Sequence, residues 1–270
     1  MNDATPVEEL ARRTIAGDRA ALEALVRALQ VDIFALALRM VWNREDAEDA
    51  TQEILIRAIT RLSGFDFRSH LKTWVYRVAV NYLLDAKKSA VERINLNFVR
   101  LSDDLLEGLS ADGPAESERS VLVEEVKIGC TLAMLQCLDR PHRLAYILGE
   151  ILDLPGLEAA EALDIDPTVL RKRLERARSE VRAFTQSYCG LVSDAADCRC
   201  HRRVPAAVRL RRARPDALDF ADKAVSFEEV RTAVRRAEGA RLALEVHRSS
   251  RPRESSVSLA RRIITAIEAV

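Results

Sequence analysis

The chain has 270 residues, of which 48% are hydrophobic, and its 42 basic residues are balanced by 42 acidic ones. This length supports several modest domains, and zero net charge means that any nucleic-acid binding must come from an uneven distribution of charge. Gly and Pro are scarce and no sustained period-two pattern of β-branched residues occurs, so the predicted fold class is all-α. No signal peptide and no apolar run of membrane-spanning length is recognisable, which predicts a cytoplasmic protein.

The first helices are predicted at residues 7–16 and 19–40, separated by a Gly-Asp break. A third helix is predicted to start at Arg44 and to end near residues 63–64. Asn43 is placed to cap its first turn, where acidic residues suit the positive end of the helix dipole.

The third predicted helix has two different faces. Asp49, Gln52 and Glu53 fall at positions i, i+3 and i+4, so they share one face. An apolar stripe follows another face, formed by Ala47, Ala50, Ile54 and Ala58. The apolar face is therefore predicted to pack in a core, and the polar face is predicted to remain exposed.

A short loop at residues 65–70 leads to a basic and aromatic helix predicted over residues 71–88. Its apolar residues recur at helical spacing, as Leu71, Val75, Val78 and Tyr82. That spacing leaves Lys72, Trp74, Arg77 and Asn81 for a partner, which we expect to be negatively charged.

Acidic residues gather in a predicted linker at residues 91–123, and the helical pattern returns from about residue 124. A short helix is predicted at residues 157–163 and a long helix at residues 167–185, with a tight turn between them. Asp166 as N-cap and Pro167 at the first helical position mark the start of the long helix, so the pair predicts a helix-turn-helix.

These motifs resemble the extracytoplasmic-function (ECF) branch of bacterial RNA polymerase sigma factors. Residues 15–88 are similar to sigma region 2, with family-like spacing of Asp46, Gln52, Phe65, Trp74 and Asn81. Residues 138–178 are similar to region 4, which reads the −35 promoter element, although Thr168-Val169 stands where the family usually has Gly-Thr. The implied domains are region 2 at 1–90, an acidic linker at 91–123, region 4 at 124–186 and an extension at 187–270.

The resemblance implies an alternative sigma factor that docks on core RNA polymerase and selects promoter DNA, without catalytic chemistry of its own. It leaves open whether a separate anti-sigma protein exists. The contacts that it implies are Asp49, Gln52 and Glu53 for core polymerase; Phe65, Arg68, Lys72, Trp74, Tyr76, Arg77 and Asn81 for the −10 element; and Arg171, Lys172, Glu175 and Arg176 for the −35 element.

The extension carries a C-x8-C-x-C-H pattern formed by Cys189, Cys198, Cys200 and His201. No cofactor is required by the resemblance, but these side chains could complete a tetrahedral zinc site. A metal sensor, a thiol switch and unligated thiols remain open, and Cys130 and Cys137 are interpreted as small core residues. Two further helices are predicted in the extension, at residues 227–244 and 256–267.

Three other functional classes are alternatives to a sigma factor. A stand-alone helix-turn-helix regulator would usually dimerise, and the chain has no obvious dimerisation heptad. A metal- or redox-responsive interaction protein is a second alternative. An enzyme ranks last because no phosphate-binding glycine loop, nucleophile elbow or catalytic constellation is recognisable.

Overall fold

The computed structural model describes residues 7–86, 90–110, 116–222 and 241–269, together with residues 232 and 234. These parts of the chain form helices and loops, with an isolated backbone bridge between Cys189 and Cys198, so the all-α prediction is confirmed. In the same described residues, no helix is long and apolar enough to cross a membrane.

The helices follow the predicted order closely. In chain order they are α1 (Val7–Ile15), α2 (Arg19–Val41), α3 (Arg44–Thr60), α4 (Leu71–Asp85), α5 (Ala90–Arg93), α6 (Phe98–Leu106), α7 (Glu116–Gln136), α8 (Arg140–Tyr146), α9 (Gly156–Ala162), α10 (Pro167–Tyr188), α11 (Cys200–Arg209), α12 (Arg241–Ser249) and α13 (Val257–Glu268). A 3₁₀ turn at Leu62–Gly64 follows α3, and a π-helical turn at Ile147–Ile151 continues α8. Most of the helix predicted at residues 227–244 lies outside the described residues.

The chain divides into two compact units that interleave in sequence. Unit 1 contains residues 1–89, 154–171 and 254–270, and unit 2 contains residues 90–153 and 172–253. The boundaries differ from the four consecutive segments predicted from the sequence, because α9, the first turn of α10 and α13 all belong to unit 1.

Side-chain caps explain why α2 and α3 start where they do. Asp18 accepts a hydrogen bond from the backbone N–H of Ala21 at 3.1 Å, and Asn43 accepts one from Asp46 at 2.9 Å. Trp42 ends α2 in the left-handed conformation, with φ of 49°. Both caps satisfy backbone donors that the first helical turn leaves unpaired, and the predicted Asn43 cap is confirmed.

The core of unit 1 lies between α2, α3 and α4 and is completed by α13. Leu259 and Ile263 of α13 are fully buried, and this helix packs against α2 and α3. A polar contact also holds the start of α13 in place, since the Gln30 amide donates a hydrogen bond to the Ser255 hydroxyl at 2.5 Å. The final helix of the extension is therefore part of the same core as the N-terminal helices.

Unit 2 is organised around α7, which packs against α6, α11 and α12. Leu101 and Leu105 of α6 are buried, so part of the predicted linker is packed rather than solvated. Glu125 of α7 is only 2% exposed, and its carboxylate accepts backbone N–H bonds from residues 219–221 at 2.7–3.0 Å. These bonds offset the cost of burying the charge and tie the loop after α11 to α7.

Candidate functional site

The exposed side of α3 carries the predicted polymerase contacts. Asp49 is exposed and Gln52 and Glu53 are half-buried, as expected for side chains at the rim of a helix face. The apolar stripe on the other side is buried, at Ala47, Ala50, Ile54 and Ala58. The structure thus brings the three polar side chains to one accessible surface.

This surface continues onto α4 through an aromatic ring. Arg57 donates to Glu53 at 2.8 Å and holds its guanidinium 4.9 Å from the centre of the Tyr82 ring. Partial burial, and then the charge of Glu53, raise the pKa of Tyr82, so its hydroxyl stays neutral beside the acidic face. The surface offers carboxylates, an amide and an aromatic edge to a partner.

An aromatic cluster forms in the loop between α3 and α4. The Phe65 ring lies 4.7 Å from Phe67 and 5.5 Å from Trp74, measured between ring centres, and the Arg12 guanidinium lies 4.6 Å over Phe67. Phe65 is buried at 5% exposure, while Trp74 is half-buried. Phe65 therefore supports the cluster from inside, and part of the Trp74 ring remains available for stacking.

The three predicted −10 cations are paired with carboxylates of this chain. Lys72 lies 2.8 Å from Asp32 and Arg68 lies 2.5 Å from Asp66. The third cation, Arg77, forms an ion pair whose partner is Asp164. Each cation is at least 41% exposed, so solvent screens these pairs and makes them exchangeable.

Helix α9 packs against α4, which the sequence did not indicate. The Thr73 hydroxyl donates to Glu158 at 3.0 Å, and Thr73 is only 1% exposed. Together with the Arg77–Asp164 pair, this contact joins α4 to the short helix and to the turn that follows it. No local sequence signal marks Glu158 or Asp164 as partners of α4, because both are ordinary acidic residues of a surface helix and its turn.

Two further predicted −10 residues have opposite environments. Tyr76 is 5% exposed, and its burial raises the pKa of its hydroxyl well above the usual range. Asn81, one turn later on the helix, is exposed. Tyr76 thus packs in the interior of unit 1, whereas Asn81 is accessible to a ligand, and a DNA contact by either remains a prediction.

The helix-turn-helix is formed by α9, a turn and α10. Asp164 adopts the left-handed conformation in the turn, with φ of 52°. Asp166 then accepts from the backbone N–H of Thr168 at 2.7 Å and from its hydroxyl at 2.5 Å. These hydrogen bonds lower the pKa of Asp166, keep it ionised at the N-terminus of α10 and confirm the predicted cap.

The predicted −35 residues lie on the solvent side of α10. All four are exposed: Arg171, Lys172, Glu175 and Arg176. The opposite side is apolar and buried, as Leu170, Leu174, Ala177, Val181 and Phe184. Arg176 pairs with Glu180 at 2.9 Å, and Arg178 pairs with Glu150.

The cysteines of the extension are half-buried in unit 2. Among the residues that the structure describes, no three His, Cys, Asp or Glu side chains are gathered closely enough to hold a metal ion. Zinc binding by Cys189, Cys198, Cys200 and His201 therefore stays a prediction. Sequence reasoning set Cys130 apart from this group, although α11, which begins at Cys200, packs on α7, which carries Cys130.

Comparison with known proteins agrees with this arrangement. Residues 25–92 match the family model described as Sigma-70 region 2. The chain is 28% identical over 178 residues to ECF RNA polymerase sigma factor SigW of Bacillus subtilis, covering 62% of this chain and 89% of that protein. It is 30% identical over 176 residues to RNA polymerase sigma-H factor of Pseudomonas aeruginosa, covering 64% of this chain and 91% of that protein.

A solved structure of CnrH in complex with the cytosolic domain of CnrY is also similar, with a TM-score of 0.49, 20% identity and coverage of 66% of this chain and 95% of that one. These two sequence relatives match over about nine tenths of their lengths, and the region 2 match covers the helices that carry the acidic and the aromatic surfaces. The chain belongs to the ECF branch of the RNA polymerase sigma-70 family.

Proposed function

We propose that this sigma factor docks on core RNA polymerase through α3, opens the −10 element with α4 and the preceding loop, and reads the −35 element with α10. The observation that carries the proposal is the presence, on one chain, of an open acidic face on α3 and an open basic face on α10. The polymerase makes the phosphodiester bonds, so the chain needs no catalytic residue. Working with polymerase would place it in the cytoplasm.

The α3 surface suits docking on a basic protein partner. Asp49 and Glu53 supply negative charge, and Gln52 supplies an amide that can both donate and accept hydrogen bonds. Charge complementarity of this kind raises association rates and fixes orientation more than it raises affinity. Glu53 can still engage a partner because its pair with Arg57 is 43–45% exposed and readily exchanged.

The −10 surface suits DNA that is losing its base stacking. The exposed part of Trp74 can stack on a base, while the Phe65 ring beside it, itself in contact with Phe67, keeps its orientation. Lys72, Arg77 and Arg68 can exchange their carboxylate partners for phosphates at little cost. Stacking together with phosphate neutralisation is what a protein needs to hold a separated strand.

The −35 surface suits double-stranded DNA. An α-helix fits the major groove, where Arg can bind guanine through two hydrogen bonds and Lys can neutralise a phosphate. On α10, Arg171 and Lys172 are open to solvent next to one another, and Glu175 and Arg176 follow one turn later. Glu175 is positioned to accept a hydrogen bond from a cytosine amino group.

Reconstituted transcription tests the proposal. Purified full-length protein is added to core polymerase with fragmented bacterial DNA, and the transcripts are sequenced. We expect start sites that share a common pair of upstream elements and that disappear when the protein is omitted. A stand-alone regulator would instead bind duplex DNA without polymerase and would direct no new start sites.

A charge-matched pair of variants tests the docking surface separately. Asp49→Lys with Glu53→Lys should weaken binding to core polymerase roughly tenfold or more, because both substitutions place like charge at the interface. Glu9→Lys with Asp103→Lys changes the net charge equally on exposed residues outside that face and should bind as the wild type does. Equal affinity of both double variants would reject the assignment of α3.

A further inference from the structure

A cavity of about 590 Å³ lies in unit 2 between α10, α12 and the π-helical turn that continues α8. This volume is within the roughly 300–1,000 Å³ that is typical of pockets for small organic molecules. Three arginines and two carboxylates are among the described residues that line it: Arg178, Arg182, Arg248, Glu150 and Asp153. The wall therefore carries an excess of positive charge, although the chain as a whole is neutral.

The π-helical turn forms one wall of the cavity and lies close against α10. The N–H of Leu152 donates to the carbonyl of Ile147 at 2.8 Å, which closes the turn five residues back. A Cβ atom at Gly149 would lie 3.1 Å from the Leu174 side chain, so glycine permits this close approach. Single π-helical turns are rare and frequently occur at functional sites.

Arg248 of α12 is held at the cavity by this turn. Its guanidinium donates to the carbonyl of Glu150 at 2.7 and 2.9 Å and to the carboxylate of Asp153 at 2.7 Å. Carbonyls in the last turn of a helix lack a partner in that helix, and Arg248 satisfies this one. All three hydrogen bonds come from Nε and Nη2, so the Nη1 group of Arg248 is left to bind a ligand.

Arg178 reaches the same turn from α10. Its Nε donates to the buried carboxylate of Glu150 at 2.8 Å. Arg178 itself is exposed, so solvent screens this pair and its guanidinium can rearrange toward another anion at little cost. Glu150 thus gathers two arginines, one on its carbonyl and one on its carboxylate.

Arg182, one helical turn after Arg178, has no such partner. Its Nε is buried and accepts no neighbour among the described residues, since none of them receives a hydrogen bond from it. A buried donor without an acceptor costs stability, and such groups in native proteins usually have a role in binding or catalysis. Arg178 and Arg248 face carboxylates of the chain, so the excess charge of the wall belongs to Arg182.

We propose that this cavity binds a phosphorylated small molecule of the nucleoside phosphate class. Guanidinium groups bind phosphate through paired hydrogen bonds, and Arg182 together with Nη1 of Arg248 supplies the donors. Ala243 and Leu244 supply an apolar wall for a base, and the largely exposed carboxylate of Asp153 can accept hydrogen bonds from sugar hydroxyls. The site does not depend on the proposed contacts with polymerase or promoter DNA.

The phosphate of DNA is a second source of the same chemistry. Arg178 and Arg182 follow the predicted −35 positions on α10, so a DNA backbone near that helix presents phosphates to them. The cavity favours a small molecule because Arg248, Ala243 and Leu244 come from a different helix and give the site a concave wall with an apolar part. The experiment below separates the two sources.

Calorimetric titration of the full chain tests the site without polymerase or DNA. The probes are AMP, GMP, CMP and UMP, with their unphosphorylated nucleosides, inorganic phosphate and glucose 6-phosphate for comparison, in a buffer free of phosphate and sulfate. We expect at least one nucleotide to bind about tenfold or more tightly than its nucleoside and than inorganic phosphate, because only the nucleotide engages both the arginines and the apolar wall. Binding of inorganic phosphate or glucose 6-phosphate as tight as that of the best nucleotide would overturn the nucleoside assignment.

Variants of one arginine test which group holds the phosphate. Arg182→Gln should weaken binding of the preferred nucleotide about tenfold or more, and Arg182→Lys, which keeps the charge without the paired donors, should fall between the two. Arg211→Gln removes an exposed Arg of unit 2 outside the cavity and should bind as the wild type does. Thermal unfolding without ligand checks that each variant is folded, and the nucleotide should raise the midpoint of the wild type but not that of Arg182→Gln.

Three results would overturn the proposal. One is the absence of binding to the wild type by every nucleotide at millimolar concentration. Another is equal nucleotide affinity of Arg182→Gln and Arg211→Gln. The third is weaker binding of Arg182→Gln to −35 duplex DNA while nucleotides fail to bind the wild type, which would assign this arginine to the DNA backbone.

Discussion

Helices α4 and α10 both carry predicted DNA contacts, yet they present them in different ways. The cations of α4 and its loop are each paired with a carboxylate of this chain, and α9 packs against α4. Arg171, Lys172, Glu175 and Arg176 of α10 instead share one open face, on which Arg176 is paired with Glu180 of the same helix. The open helix can meet duplex DNA as it stands, whereas the paired helix must exchange internal contacts for contacts with DNA, so its net gain on binding is smaller.

The largest effect is expected on α10. Replacing Arg171 and Arg176 together by Ala should weaken binding to −35 duplex DNA roughly 100-fold, because two base contacts are lost. Fluorescence anisotropy of holoenzyme on a labelled −35 duplex measures the change. Arg27→Ala, an exposed Arg of α2, is the control and should bind normally. A loss of less than about threefold would place base reading elsewhere.

The next effect is expected at Trp74. Trp74→Ala should reduce the open complex roughly tenfold, because stacking on a separated base is lost, while Trp74→Phe keeps an aromatic face and should retain most of the opening. Permanganate reactivity of unpaired thymines measures opening, and thermal unfolding checks that both variants stay folded. Normal opening by the Ala variant would contradict the role of the aromatic cluster.

A smaller effect, of opposite sign, is expected where α9 meets α4. Glu158→Gln with Asp164→Asn removes the carboxylates that contact Thr73 and Arg77, and should tighten binding of a single-stranded −10 oligonucleotide by about two- to fivefold. Glu161→Gln with Asp216→Asn changes the net charge equally on exposed residues and is the control. If the two double variants bind alike, the internal contacts do not compete with DNA.

The smallest effect is expected at Arg68. Its side chain is 86% exposed and is paired with the nearby Asp66. Arg68→Ala should weaken −10 binding by about twofold and lower its salt dependence, as expected for one phosphate contact. Binding measured across a series of salt concentrations tests this, and an unchanged slope would remove Arg68 from the interface.

Local features of the fold could be predicted from the sequence because their causes are local. The caps at Asn43 and Asp166 and the apolar stripe of α3 depend on residues within one or two helical turns. The contacts of Glu158 and Asp164 with α4 join residues 85 and 87 positions apart, so no periodicity reveals them.

The position of α13 has a consequence for how the chain is made. Gln30 and Ser255 meet across 225 positions of sequence, and Leu259 and Ile263 close a core whose other helices are synthesised first. During translation the apolar sides of α2 and α3 stay uncovered until α13 has left the ribosome. Synthesis proceeds at about 5–20 residues per second. For many seconds the nascent protein exposes an apolar surface that chaperones can bind. A ribosome that stalls before α13 is made leaves a product in which the core of unit 1 is incomplete.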